Sequence, residues 1–562
     1  MSSESPFSSR PGLALRAAAL CLVASLACGA EPADADIEPE AWNRLESESF
    51  RMTSNGDPEW SAQILVDIEL FRRSFEQLAP GIDAGFPIPT QIVAFKDAES
   101  YALFKTAADT ASSRIMGQFL GHRDGNFITL NVDPRMSGGL GIIIHEYVHH
   151  IVTQNLPRVP RWLNEGLAEY YSTFEVEGRF AVIGRPVIRH LNWWRRNHEV
   201  EVVEVLGEPG ADAHSIGNAG HYYAVSWAMA HYLLSTPGGA DVLASYLEAM
   251  TLEADPADAL LSALGLSAGE LEDELRRHVG VGVLPTASLG LEELGPVEIR
   301  QGPSPPPATL TILGELAARL GDQRRAEQLF DLAIAYDPTH AEAIAGLASL
   351  RDEQARFEEA AVLHAQALAQ GPRAARTFLR HGRHLLRRIE IERPMGADRA
   401  GRLAVQAKTS FLAALALDPK FAEIYAMLGR VHLFEGLEAA DGLGFVERAH
   451  ELLPTRADVV HTQIRLHLKL GAIDRATRLL DGSFRLLTDR ETHARVGDEV
   501  RRAELLIAAN DALADGRWDE GLELFDQAIT YTADAAVRLQ MEQQLENLER
   551  RADREKARAG GA

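Results

Sequence analysis

Two histidines four residues apart form the clearest chemical signature in the sequence. His145 and His149 flank Glu146 in the pattern His-Glu-x-x-His. On a helix, residues four apart share one face, so both imidazoles can bind one metal ion while Glu146 reaches a water on that metal. Because the two cysteines, Cys21 and Cys28, lie near the N-terminus, the ligands must be His and carboxylates. The spacing therefore predicts a metal ion whose bound water lies within reach of Glu146.

A second motif, Trp-Leu-Asn-Glu-Gly-Leu-Ala-Glu at 162–169, offers the third ligand. Glu165 would complete a site of two His and one carboxylate, with a fourth position open to water as in catalytic zinc sites. Glu169 lies four residues later on the same helix face and is expected to accept the remaining N–H of a ligand imidazole, that of His145. This donor set predicts Zn²⁺, and manganese or cobalt could occupy it in vitro.

The His-Glu-x-x-His motif followed by Trp-Leu-Asn-Glu-Gly-Leu-Ala-Glu resembles the gluzincin superfamily of zinc peptidases, and within it the bacterial peptidase-MA-like domains. The resemblance implies an α+β zincin-like domain in which His145, His149 and Glu165 bind zinc and Glu146 is catalytic. The spacer between the motifs is shorter than in the aminopeptidase and thermolysin-like branches. Val152 and Asn155 occupy the positions of the metzincin Gly and third His, which excludes that extended motif.

The same resemblance implies an oxyanion donor on a helix beyond the third ligand. Tyr223 is preferred because Tyr-x-x-Ser-Trp-Ala, at 223–228, resembles the peptidase-MA-like segment; His221 is the second choice, and core packing is the alternative for both.

Related peptidases pair substrate with an edge strand, here 117–120 or the strand from 126 to 132. No role is assigned to four further histidines: His122, His150, His190 and His214.

The elements that must position these residues fall into several parts. A chain of 562 residues with 46% hydrophobic side chains is too long for one core. Residues 41–290 mix strand-like segments, such as 90–95 and 127–132, with helical ones and are predicted to form the α+β metallopeptidase domain. A Pro-rich stretch at 291–306 is predicted to be a linker. The net charge of −25 disfavours nucleic acid as a partner.

Beyond Pro307 the sequence repeats with a 34-residue period that resembles the tetratricopeptide repeat (TPR). Small residues recur at Gly314 and Ala326, followed by Phe330 and a terminal Pro338; one period later His364 replaces the aromatic residue. The period predicts an all-α TPR solenoid over 307–540, with a peptide or protein partner on its surface. Residues 541–562 are predicted to be a charged C-terminal tail.

Residues 1–30 have the pattern of a signal peptide, with arginines ahead of a short apolar run. Ser-Leu-Ala-Cys, ending at Cys28, resembles a lipobox, so either lipidation of Cys28 or ordinary cleavage after Ala30 is expected. The apolar run is too short to span a bilayer, and no other stretch is long enough. The protein is therefore expected to be exported to the periplasm, outer membrane or cell surface, with a lipid anchor at Cys28 as its sole link to a membrane.

These features together predict an exported zinc metallopeptidase whose repeats bind a protein substrate or partner. Two alternatives remain open. One is a TPR binding or assembly protein with an inert peptidase-like domain, although Glu146 and all three ligands are present. The other is a zinc hydrolase of a non-peptide amide, which the same ligands would serve equally well.

Overall fold

A mixed six-stranded sheet organises the N-terminal region. The computed structural model describes residues 41–85, 87–105, 117–133, 139–197, 200–207, 219–252, 254–391 and 397–560. The strands, in spatial order, are β4 (Gly117–Leu120), β5 (Asn126–Asn131), β3 (Thr90–Phe95), β2 (Arg51–Ser54), β1 (Asn43–Glu46) and β9 (Arg300–Pro303). Strands β2, β3 and β5 are mutually parallel, whereas the pairs β4–β5, β1–β2 and β1–β9 are antiparallel. The predicted strands 90–95 and 127–132 correspond to β3 and, shifted by one residue, to β5.

Helix α1 (Pro58–Leu78) connects the parallel strands β2 and β3. Asp57 caps it by accepting from the Trp60 amide at 2.8 Å, and its apolar face, which includes Ile68 and Phe71, is buried. The other helices of this region are α2 (Ala98–Ala102), α3 (Gly139–Asn155), α4 (Arg161–Tyr171), α5 (Ile188–Arg196), α6 (Val202–Leu206), α7 (Ala219–Ser235), α8 (Gly239–Thr251), α9 (Pro256–Leu264), α10 (Ala268–Gly280) and α11 (Leu291–Leu294). A small antiparallel sheet contains β6 (Glu175–Glu177), β7 (Phe180–Ile183) and β8 (Ala287–Gly290).

Helix α3, which carries the His-Glu-x-x-His motif, is fixed by its buried face. Tyr147 is completely buried, and its hydroxyl donates to the Ala84 carbonyl at 2.5 Å. Its ring meets the edges of Phe50 and Phe71 at centroid distances of 5.9 and 5.7 Å. These contacts immobilise one face of α3, so the opposite face presents the motif in a defined orientation.

The segment predicted to be a linker, 291–306, is part of the folded N-terminal region. It contains α11 and β9, and β9 pairs with β1 from Asn43↔Pro303 to Glu46↔Arg300. The prediction of a Pro-rich linker did not include this strand, because an edge strand tolerates proline wherever its N–H is not required by the ladder. The sheet is therefore completed by residues that directly precede the repeats.

Residues from 306 onward form antiparallel helical hairpins. The helices are α12 (Pro306–Arg319), α13 (Gln323–Tyr336), α14 (Ala341–Glu353), α15 (Phe357–Ala369), α16 (Ala375–Ile391), α17 (Ala397–Leu417), α18 (Ala422–Val431), α19 (Ala439–Leu452), α20 (Ala457–Lys469), α21 (Ile473–Leu479), α22 (Arg485–Leu487), α23 (Arg490–Ala514), α24 (Trp518–Thr530) and α25 (Ala535–Gly560), with a π-helical turn at Leu480–Phe484. The prediction of an all-α repeat solenoid is confirmed.

The packing of Phe330 explains the spacing of the repeat residues. A Cβ added at Gly314 would lie 2.9 Å from the Phe330 ring, and one added at Gly346 would lie 2.5 Å from it. Phe330 on α13 therefore fills a gap that exists only because α12 and α14 carry glycine there. His364 occupies the corresponding position on α15, where it is buried and hydrogen-bonds to Asp352 at 3.1 Å.

The repeat array packs against the N-terminal region along most of its length. The Ala422 amide on α18 donates to the Pro87 carbonyl at 2.8 Å, and Arg123 binds Asp458 on α20 at 2.9 Å. Farther along, Arg158 donates to the Arg485 and Leu486 carbonyls at 2.9 and 3.1 Å. The array therefore contacts the segment before β3, the β4–β5 loop and the loop that follows α3.

The C-terminal segment predicted to be a charged tail, 541–562, belongs to α25 over its described part. This helix buries Met541 and Ala552. Among the described helices, none combines the length and the apolar composition needed to cross a bilayer. The predicted signal peptide, Cys28 and His214 lie outside the described residues.

Candidate metal centre

Helices α3 and α4 bring together the three predicted ligands. The Nε2 atoms of His145 and His149 are 3.1 Å apart. Glu165 Oε2 lies 3.6 Å from the first and 3.4 Å from the second. One turn of α3 supplies both imidazoles, and the first half of α4 supplies the carboxylate opposite them.

The size of this triangle fits a zinc ion. The point equidistant from three atoms at these separations lies about 2 Å from each, which matches Zn–N and Zn–O bond lengths. Glu165 Oε2 is also buried and, among the described residues, has no hydrogen-bond partner. A cation bound by the three atoms would satisfy it.

The orientation of the imidazoles supports the same interpretation. Asn164 Oδ1 lies 2.9 Å from His149 Nδ1, and Glu169 Oε1 lies 3.9 Å from His145 Nδ1. An oxygen on the Nδ1 side favours the Nδ1–H tautomer, which leaves the Nε2 lone pair free to bind a metal. Without a cation, two such lone pairs 3.1 Å apart would repel each other.

The predicted role of Glu169 needs a correction. At 3.9 Å from His145 Nδ1 it acts through its charge and does not accept a hydrogen bond. Its hydrogen-bond donors are instead Arg189 at 2.6 Å and His190 Nε2 at 3.0 Å, both on α5. These two contacts hold the carboxylate beside His145.

Sequence reasoning therefore missed three residues around the ligands: Asn164, Arg189 and His190. Asn164 directly precedes Glu165, so its proximity to the site was visible in the motif. His190 was assigned no role, although it is 3% exposed and bound to Glu169. No sequence signal points to it, because its contact depends on how α5 packs against α4.

The electrostatics keep the site carboxylates ionised. Burial alone would raise the pKa of Glu165, but the adjacent imidazoles of His145 and His149 lower it to about 2. The pKa of Glu169 is lowered as well, because His190 and Arg189 outweigh the effect of its burial. Burial opposes protonation of His149, but Glu165 and Asn164 raise its pKa.

Tyr223, the predicted oxyanion donor, lies on α7, which packs closely against α4. Burial raises its pKa, as do the charges of Glu165, Glu169 and Glu146, so its phenol keeps the proton it would donate. His221, the second choice, instead stacks on Trp193 with ring centroids 5.0 Å apart and an interplanar angle of 6°.

Of the two strands proposed to pair with substrate, the structure makes β4 the edge of the sheet. Strand β5 is bonded on both sides, to β3 and β4, and has no free edge. Phe119 on β4 packs on the His150 ring at 4.6 Å, and burial lowers the pKa of His150 to about 4. His150 is therefore a neutral side chain of α3 that packs against β4.

No family model matches the sequence, and no curated protein sequence matches it. Among solved structures, the chain is similar to PilF of Pseudomonas aeruginosa at 18% identity and a TM-score of 0.30, over 42% of this chain and 97% of that one. It is similar to a thermophilic TPR protein of Thermus thermophilus at 18% identity and a TM-score of 0.28, over 36% of this chain and 100% of that one. It is also similar to YrrB, a TPR protein with an unusual peptide-binding site. The identity is 18% and the TM-score 0.28, over 34% of this chain and 90% of that one.

Proposed function

We propose that the chain is a zinc-dependent hydrolase of peptide bonds, with a gluzincin-type domain at residues 41–290. The observation that supports this most directly is the convergence of His145 Nε2, His149 Nε2 and Glu165 Oε2 within 3.6 Å of one another. The oxygens of Asn164 and Glu169 on the Nδ1 side of the two imidazoles also support the proposal. A merely structural pair of histidines would not need this arrangement.

Each polar residue of the site then has a task in hydrolysis. Zinc, when bound, supplies a Lewis acid that polarises the carbonyl and acidifies water. Glu146 accepts the proton of the attacking water and passes it to the leaving nitrogen. Tyr223 donates its phenolic proton in a hydrogen bond to the developing oxyanion. Strand β4, which is at the end of the sheet among the described strands, pairs with the substrate backbone, and such pairing binds peptides with little sequence preference.

The experiment combines metal content with hydrolysis of an unstructured protein. Mass spectrometry counts zinc in the purified full chain, and casein cleavage is followed for wild type, Glu146→Gln and Glu165→Ala. We expect one zinc in wild type and Glu146→Gln, with cleavage by wild type alone and no zinc in Glu165→Ala. Zinc content that is unchanged by Glu165→Ala, or cleavage by Glu146→Gln, would refute the assigned roles.

The second candidate is a TPR binding or assembly protein whose peptidase-like domain is inert. It is favoured by the repeat array, which is the part of the chain with the likeness to TPR proteins reported above. Bound zinc without cleavage of any peptide library would support this candidate. In that case the array would bind a protein partner, and the metal would stabilise the N-terminal region.

We further propose that the protein is exported through residues 1–30, with Cys28 as a lipid-anchored first residue after cleavage. The mass of the mature N-terminus tests this directly. A diacylglyceryl-modified Cys28 would support anchoring in a membrane, whereas an unmodified residue 31 would indicate ordinary cleavage after Ala30.

A further inference from the structure

A cavity of about 330 Å³ lies where the β4–β5 loop of the N-terminal region meets the repeat array. Helices α12, α14, α16 and α18 form its other walls. Its wall carries six arginines: Arg123, Arg319, Arg380, Arg383, Arg387 and Arg430. The chain as a whole has a net charge of −25. A concentration of guanidinium groups at one enclosed place therefore needs a physical explanation.

Part of the explanation is structural. Arg319 and Arg380 bind Asp124, the buried residue at the tip of the β4–β5 loop. The pKa of Asp124 lies well below its usual value because His122 and these arginines outweigh the effect of burial. Arg123 and Arg430 are paired as well, the first with Asp458 and the second with Glu390. These four arginines hold the loop and the rim in place.

Two arginines on α16 are not accounted for by these pairs. Arg383 approaches Asp124 to 4.0 Å, the limit of an ion pair, and Arg387 lies over the Phe357 ring with no carboxylate partner among the described residues. They are four residues apart and thus share one face of α16. Asp124 is shared by Arg319, Arg380 and Arg383, so one carboxylate leaves the repulsion between Arg383 and Arg387 incompletely balanced.

A buried histidine adds an unused polar atom to the same wall. His384 is 3% exposed, and its Nδ1 donates to Asp352 at 2.7 Å. Its Nε2 is buried and has no hydrogen-bond partner among the described residues, and the same holds for Nε of Arg380. As an imidazolium, His384 would donate its Nε2–H to an oxygen of a bound group, and the Nε–H of Arg380 would do the same.

We propose that this cavity binds a small molecule through an oxyanion group, either a phosphate or a carboxylate, held by Arg383, Arg387 and His384. The volume lies at the lower end of the range for small-molecule pockets, about 300–1,000 Å³. Guanidinium groups bind both kinds of oxyanion through paired N–H donors. The ligand would bridge the N-terminal region and the repeats, so its binding would stabilise their contact.

A metal ion is the competing occupant, since Asp352 and His384 of the wall lie close to His364 behind it. The structure argues against it. Asp352 already accepts from both histidines, at 3.1 and 2.7 Å. In addition, the positive charges of the arginines oppose a cation at this place. Burial lowers the pKa of His364, and the charge of Arg380 lowers it further. The cavity therefore favours an anion.

The test is calorimetric titration of the full chain with inorganic phosphate, with succinate and with acetate as the monoanion control. These anions bind zinc weakly, and the substitutions tested lie far from the metal ligands in sequence. We expect one phosphate or succinate per chain with a dissociation constant below about 1 mM. The Arg383→Gln/Arg387→Gln variant should bind at least about tenfold more weakly. Arg388→Gln is the matched control, because Arg388 follows on the same helix, does not line the cavity and binds Glu358 at 3.1 Å.

Each outcome is decisive. Binding of phosphate alone identifies a phosphate site, binding of succinate alone a carboxylate site, and loss in the double variant but not in Arg388→Gln places either one in the cavity. Circular dichroism and gel filtration show whether the double variant is folded. The proposal is wrong if wild type binds neither anion at 10 mM, or if the folded double variant binds as wild type does.

Discussion

Gly166 offers a sharp test of how the third ligand is positioned. It directly follows Glu165 on α4 and lies against α7. A Cβ at this position would lie 2.9 Å from the Ala230 Cβ and 2.9 Å from the Ser226 carbonyl carbon, and nearer still to the carbonyl oxygen. The oxygen would lie at 2.3 Å and ordinary contact begins at 3.4 Å, so Gly166→Ala requires α4 and α7 to separate by about 1 Å.

The magnitude follows from two opposing effects. Alanine stabilises a helix by about 1 kcal/mol relative to glycine. Overpacking costs about 1–3 kcal/mol, and the upper half of that range applies because the closest atoms are backbone. We expect a net loss of about 1–2 kcal/mol, which corresponds to a fall of roughly 2–8 °C in the transition that includes α4. Zinc affinity should fall at least about tenfold, because Glu165 moves with the helix.

The assay is thermal unfolding with and without excess zinc, alongside zinc affinity by competition with a chromophoric chelator. Gly444→Ala is the matched control, since Gly444 lies within α19 and nothing would be within 4 Å of its Cβ. The control should be more stable by up to about 1 kcal/mol. If Gly166→Ala is also stabilised, or binds zinc like wild type, then close packing of α4 on α7 does not position Glu165.

Further predictions concern single side chains. Asn164→Ala should weaken zinc binding about 10–100-fold by freeing His149 Nδ1, as measured by chelator competition; unchanged affinity would refute that role. Tyr223→Phe should lower kcat about 100–1,000-fold on a peptide substrate at unchanged zinc content, and normal turnover would assign Tyr223 to packing. Asp124→Asn should destabilise the protein by roughly 3–5 kcal/mol at neutral pH, because it leaves the largely buried Arg319 without its ion-pair partner. Since the folded pKa of Asp124 is depressed, its contribution is complete above the unfolded value of about 4 and is lost as the pH falls below it. Urea unfolding at pH 7 and at pH 3.5 should therefore show a smaller difference between variant and wild type in acid, and an equal difference would contradict the assignment.

What the sequence predicted depended on how local each feature is. The i, i+4 spacing of His145 and His149 places them together on any helix, so their proximity needs no tertiary information. The repeat period likewise predicts helical hairpins, because each small residue has a fixed neighbour such as Phe330. The contact of His190 with Glu169 depends on the packing of two helices, which no spacing encodes. Strand β9 was missed for the same reason, since its partner is far away in the sequence.

The pairing of β9 with β1 makes folding depend on the order of synthesis. Residues 43–46 remain without one of their two neighbours until residues 300–303 have been made. This is one of the longest sequence separations in the sheet, and contacts between such distant segments form late and slowly. Until then β1 exposes an open edge on which other chains can pair. A nascent chain that ends before residue 303 would therefore carry the complete His-Glu-x-x-His motif on an unfinished sheet.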